Sequence, residues 1–176
     1  MRLLAGLSIP FCLMIGIAAA QKTDADVLPH IEGETLSGKP ITLPDAAHGH
    51  FALLTIGFSH KSGEATRAWG IRFHQDFGAD SRYVVYLVAE LEDAPRFIRG
   101  MILSGMRKGT PVPERDHFVT LFHGEADLKK FVGFSGPDDA YLLLLDAKGT
   151  VRWLGHGLFR DGDYAALQAA AKALAN

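Results

Sequence analysis

The run Phe51-Ala52-Leu53-Leu54-Thr55-Ile56-Gly57-Phe58 is apolar at nearly every position. An alternating strand can leave one face in water, but a continuous apolar run of this length has to be covered on both. That requirement calls for a parallel or mixed sheet with cover on each side. Ser59-His60-Lys61-Ser62-Gly63 interrupts the run, and Ala65, Ala68, Trp69, Phe73 and Phe77 then recur at helical spacing. Arg82 to Ala89 supplies a second buried strand. The stretch is therefore a β-α-β unit, whose crossover is expected to be right-handed.

The flanking segments extend this pattern. Glu34 to Leu43 alternates apolar with polar residues around Ser37-Gly38, which predicts a small hairpin. Asp93-Ala94-Pro95 signals a helix start, and Gly109, Pro111 and Pro113 stop the helix after Lys108. His117 to Phe122 is a short strand and Ala126 to Val132 a short helix. Tyr141-Leu142-Leu143-Leu144-Leu145 is an apolar strand that turns at Asp146-Ala147-Lys148-Gly149 and returns through Thr150 to Leu154. Asp161 and Asp163 open an Ala-rich helix from Tyr164 to Leu174. No internal repeat or low-complexity stretch is present.

At the N-terminus, Arg2 precedes an apolar run that closes on Ala18-Ala19-Ala20. A charged start, an apolar centre and small residues before the cut are what a signal peptidase needs, so 1–20 is expected to be a signal peptide cleaved before Gln21. The alternative is an uncleaved anchor, because this run is just long enough to span a hydrocarbon core. Residues 21–30 then form a tether and 31–176 a single domain. The only cysteine is Cys12, inside the signal and preceded by Phe11 rather than the small residue a lipobox requires. The mature chain therefore has no thiol. An exported, periplasmic or secreted location follows, with membrane anchoring as the alternative. Without Arg2 the balance is 17 Lys and Arg against 20 Asp and Glu, which argues against nucleic acid as a partner.

The buried strand, loop and amphipathic helix, closed by the hairpin around Asp146 and a final helix, resemble the thioredoxin-like superfamily, particularly its peroxiredoxin, TlpA-like and Sco-like branches. The resemblance implies a three-layer α/β/α sandwich with a central mixed sheet and an N-terminal β-hairpin. In redox members the loop after the first central strand carries two cysteines at a helix N-terminus, which favours the thiolate. Here those positions fall near Lys61 and Glu64, and neither residue exchanges a disulfide. The cis-proline that redox members place beside this loop is replaced by Ala140, with Pro137 three residues earlier. A narrower resemblance lies in Arg99-Gly100-Met101-Ile102-Leu103, Arg115-Asp116-His117-Phe118, Leu121-Phe122-His123-Gly124, and Leu144-Leu145-Asp146 with Val151 to Gly157. These motifs are similar to the assembly-factor family of mitochondrial ATP synthase, the ATP ten family, whose members are thioredoxin-like without the active cysteines. That resemblance implies a binding or assembly role toward a membrane protein complex, with a protein partner. The competing class is a redoxin-type antioxidant or thiol oxidoreductase with a degenerate site.

Two places carry the binding expectations. The first is the degenerate loop, Ser59, His60, Lys61 and Glu64, where a basic pair beside a helix N-terminus needs an anion or Glu64 to relieve it. The second is the basic amphipathic helix, with Arg96, Phe97, Arg99, Met101, Ile102, Arg107 and Lys108 as a partner or membrane face. Its competing reading is a helix packed on the core with a solvated basic side. Phe97, Ile98, Met101, Ile102 and Met106 form the expected apolar face, and Arg96, Arg99, Arg107 and Lys108 the polar one. Arg115-Asp116 is expected to be a surface ion pair. No catalytic residue, cofactor or metal is expected: copper(I) delivery of the Sco type uses thiolates, and His48-x-His50 has no third ligand nearby in sequence.

Overall fold

The structure, a computed structural model, describes residues 28–175. The expected signal peptide and most of the tether lie outside the described residues. The folded unit already includes Leu28, three residues ahead of the expected domain start, because that side chain is completely buried in the core.

Seven strands form one sheet: β1 (Ile31–Thr35), β2 (Pro40–Leu43), β3 (Phe51–Gly57), β4 (Tyr83–Glu90), β5 (Phe118–Leu121), β6 (Ala140–Leu145) and β7 (Val151–Gly157). Their spatial order is β2-β1-β5-β4-β3-β6-β7. β3, β4 and β5 run parallel, and β6 and β7 close the sheet antiparallel on the other side of β3. The mixed sheet is the one the apolar run requires. The helices are α1 (Ser62–Phe77), α2 (Arg96–Gly109), α3 (Glu125–Val132) and α4 (Asp161–Leu174).

Two apolar layers sandwich the sheet. Ala52, Leu54, Ile56, Tyr141, Leu143 and Leu145 face one core with Leu28, Ala47 and Leu128 and Val132 of α3. Leu53, Leu142 and Leu144 face the other with Trp69, Phe73 and Phe77 of α1 and Tyr164, Leu167 and Ala171 of α4. All six residues of β6 are buried, so the strand feeds both cores by simple alternation. The fold is thioredoxin-like, with α1 and α4 in one outer layer and α3 in the other.

Element bounds shift mainly at the ends. α3 begins at Glu125 and α4 at Asp161, because each acid lies within the first helical turn. β7 extends to Gly157, since its pairing with β6 continues to Ala140 opposite Gly157. The turn Ser37-Gly38 sits where expected, with Gly38 at φ 88°, which a side chain would strain.

The expected Arg115–Asp116 ion pair does not form. Arg115 Nη2 donates to the Arg107 carbonyl at 2.6 Å and its Nε to the Thr110 carbonyl at 3.1 Å, while Asp116 accepts from Lys39 at 2.8 Å and from Ser37. Adjacent side chains on this turn diverge: Arg115 bonds back to the end of α2 and the connection after it, and Asp116 to partners brought in by tertiary structure.

Candidate functional site

The C-terminal ends of the parallel strands β3 and β4 are where α/β sheets bind ligands. Here that edge is occupied by the loop after β3. Ser62 is fully buried, its Oγ donating to the Ser59 carbonyl at 2.8 Å and accepting from the Ser59 amide at 3.1 Å. Ser59 Oγ accepts in turn from the Ser62 amide at 3.1 Å. This tight closure depends on Gly57, where a Cβ would lie 2.6 Å from Ser62 Oγ. A Ser62→Ala variant strands the polar groups of Ser59 and is expected to lose about 1–2 kcal/mol of stability in urea denaturation.

Asp138, from the segment before β6, reaches across to this loop. It accepts from Ser59 Oγ at 3.2 Å and from Lys61 Nζ at 3.4 Å. The anion that relieves Lys61 at the start of α1 is therefore Asp138 and not Glu64. His60 and Glu64 are exposed and lie outside this network. Lys61 and Asp138 are both largely exposed, so their ion pair fixes geometry and contributes little to stability. Lys61 and Glu64 fall at the cap and in the first turn of α1. Ala140 stands opposite Gly57 in the β3–β6 register. The cis peptide among the described residues is Leu43–Pro44, so Pro137 does not replace the missing cis-proline.

Beside the loop lies a row of rings that sequence reasoning passed over. Phe58 meets Phe134 and Tyr141 edge-on at 5.2 and 5.4 Å, and Tyr141 stacks on Phe134 at 5.6 Å and on His156 at 5.7 Å. The Tyr141 hydroxyl pins the loop before β6, accepting from the amides of Ser135 and Gly136 at 2.8 and 2.9 Å. Lys129 Nζ sits 4.7 Å from the Phe134 ring centre and 5.6 Å from that of Phe58, a cation over two aromatic faces. It also pairs with Glu125.

Glu125 belongs to the second missed group. Glu90, Glu92 and Glu125 bring one carboxylate oxygen each within 4.8 Å of one another, close enough to share a hard cation. Part of that capacity is already used: Glu90 Oε1 accepts from the Glu92 amide at 2.6 Å, and Glu92 Oε2 from the Glu125 amide at 2.9 Å. Burial, supported by the charges of Glu125, Glu92 and Asp93, raises the Glu90 carboxyl to about 7. The acids Glu90-x-Glu92-Asp93 directly after an apolar strand were the available signal, but Glu125 joins them only through the fold.

α2 is arranged differently from its sequence pattern. Arg99 and Arg107 turn toward the domain instead of forming a solvated side: Arg99 donates to the Glu92 and Ala94 carbonyls, each at 2.8 Å, and lies over Phe122 at 4.9 Å. Arg107 donates to the Leu36 carbonyl at 2.8 Å. A guanidinium gains more from fixed carbonyls than from water at this range. Ile98, Ile102 and Met106 are half-buried beside them, whereas Phe97 and Met101 are 89% and 70% exposed. No residue of α2 is buried, so it is not a core-packing helix.

A groove of 860 Å³ lies between α1 and the connection from α2 to β5, floored by Val85 and Leu87 and rimmed by Arg67, His74 and His117. No residue of the Ser59–Glu64 loop lines it. His50 borders this groove, while His48 lies against Gly149, so the two do not converge as a chelating pair.

The family model described as ATP10 protein matches residues 17–174. The chain belongs to the ATP10 protein family. No curated protein sequence matches it. Among solved structures, the fold is similar to a putative thiol:disulfide interchange protein DsbE from Chlorobium tepidum, with 18% identity, a TM-score of 0.57, and 86% of this chain and 96% of that one covered. The thioredoxin domain of a thiol-disulfide oxidoreductase from Bacteroides vulgatus is 18% identical, with a TM-score of 0.56 and coverage of 82% and 94%. BsSco, a member of the Sco family of cytochrome c oxidase assembly proteins, is 11% identical, with a TM-score of 0.52 and coverage of 81% and 92%. At these identities the structures establish the fold alone. This ATP10 member is an assembly-type thioredoxin-like protein, and with the single cysteine Cys12 it has no pair of thiols to close within the chain.

Proposed function

We propose that this protein is a non-enzymatic assembly factor, working at a membrane surface on the exported side, that binds a subunit of a membrane complex such as ATP synthase. What supports the reading is the loop after β3: where the thioredoxin-like resemblance puts two cysteines the chain has Lys61 and Glu64, and Asp138 ties Lys61 to Ser59. Neither a lysine nor a glutamate side chain can exchange a disulfide. Family membership supports the assembly role, and the Arg2-to-Ala20 segment supports export.

The decisive experiment pairs gene deletion with purified protein. Deletion is expected to lower the amount of assembled ATP synthase while its subunits are still made, and crosslinking in native membranes is expected to join the protein to a membrane subunit. Purified protein is expected to leave insulin disulfides and peroxide unconsumed. Turnover above the uncatalysed rate, or unchanged assembly after deletion, would falsify the proposal. Mature protein whose first residue is Gln21 in the exported fraction checks the location.

A further inference from the structure

The outward face of α2 has no occupant among the described residues. Phe97, Met101, Ser104 and Lys108 are spaced four, three and four residues apart, which places them on one stripe of the helix. All four are exposed, Phe97 at 89% and Met101 at 70%. The helix is held from the opposite side by Arg99 and from the flank by Arg107, through their bonds to backbone carbonyls. The helix therefore cannot roll to hide the two large apolar side chains without breaking its own tethers. An exposed apolar pair held outward in this way marks a contact surface.

The charges select the occupant. α2 carries Arg96, Arg99, Arg107 and Lys108 and no acidic residue, within a chain of net charge −2. With Arg99 and Arg107 used internally, Lys108 remains exposed at the C-terminal end of the stripe and Arg96 on its flank at the N-terminal end, about 100° around the helix from Phe97, both without partners among the described residues. Twelve residues of helix separate them by about 18 Å along the axis. An occupant has to offer anionic groups at both ends and an apolar layer between. A bilayer surface with anionic headgroups does so, its phosphates meeting the two cations while Phe97 and Met101 enter the acyl boundary. We infer that the Phe97–Met101 stripe of α2 docks on an anionic lipid surface. This site is separate from the loop at Ser59 and stands whether or not the assembly role holds.

Amide exchange tests the assignment. α2 contains Gly100 and Gly105, at each of which an added Cβ would meet nothing, and it buries no side chain. Such a helix opens readily and exchanges fast when free. The full chain is mixed with phosphatidylcholine vesicles, or with vesicles holding about 30% phosphatidylglycerol. Residues 3–17 are common to both samples, so their contribution cancels. Exchange across 97–108 is expected to slow about tenfold with the anionic vesicles alone, and the protection is expected to vanish in about 0.5 M salt. The Phe97→Ser/Met101→Ser double variant, which leaves Arg99 and Arg107 in place, is expected to show none. Equal exchange with both vesicle types, which would leave a protein as the occupant, overturns the inference, as does protection that persists in the double variant.

Discussion

Replacing Trp69 by Ala is expected to lower stability by about 3–5 kcal/mol and the thermal midpoint by about 10 °C. Trp69 is 1% exposed and sits in the core between α1, the sheet and α4. Its ring packs edge-on against Phe159 at 5.2 Å and lies 6.2 Å from Tyr164, so its removal opens a cavity that neighbours on three elements line. The indole also serves a polar role: Nε1 donates to the Gly157 carbonyl at 3.1 Å, at the end of β7. A Trp69→Phe variant separates the two contributions, because it keeps most of the ring and loses the donor. It is expected to cost about 1–2 kcal/mol for the orphaned carbonyl and the smaller ring. Denaturant midpoints measure both. A loss below about 1 kcal/mol for Trp69→Ala would mean that α1 is not seated by this side chain.

Trp69 also shows what was legible in the sequence. Its helical spacing with Ala65, Ala68, Phe73 and Phe77 predicts an inward face, and all are buried except Ala68, which is half-buried at the edge of that face. The same holds for β3 and β6, whose uninterrupted apolar runs can only belong inside a covered sheet. α2 is the instructive exception. Its apolar residues are spaced well for a helix, but periodicity cannot say which stripe faces the domain. That choice is made by Arg99, which reaches back to Glu92 and Ala94 in the segment just before α2, and by Arg107, whose partner Leu36 is near α2 only through tertiary structure.

The candidate site was legible as a loss and illegible as a construction. Lys61, Glu64 and Ala140 are where the thioredoxin-like resemblance puts the thiols and the cis-proline, by position in the motif alone. Asp138, which seals the loop, lies 79 residues from Ser59 in the chain and enters through the β3–β6 register. The row of Phe58, Phe134, Tyr141 and His156 is assembled the same way, from the loop after β3, from β6 and β7, and from the segment before β6. Each residue is unremarkable in its own segment, and the chemistry arises only where the strand ends meet. Lys129 then links the ring row to the carboxylates, since it contacts Phe58 and Phe134 while paired with Glu125.

Those carboxylates make the folded state sensitive to pH in an unusual direction. Glu90 is 6% exposed at the end of β4. Burial first, then the charges of Glu125, Glu92 and Asp93, raises its carboxyl from 4.5 to about 7, against the opposing bond from the Glu92 amide. A group that holds its proton more tightly when folded stabilises the fold below its unfolded value, here pH 4.5, and that contribution is lost as pH rises through about 7. The full span amounts to about 3 kcal/mol. The protein is therefore expected to lose stability from this residue between pH 5 and pH 8. Glu90→Gln keeps an acceptor for the Glu92 amide and removes the charge, so it is expected to be near neutral at pH 4.5 and to stabilise by up to about 3 kcal/mol at pH 8. Lys129 offsets little of the gain, because its ammonium is engaged first with Glu125 and only weakly with Glu90. Urea midpoints for wild type and variant at both ends of the range decide the matter. A variant whose advantage is the same at pH 5 and pH 8 would show that Glu90 is ionised throughout and that its neighbours, Lys129 among them, hold the charge in place.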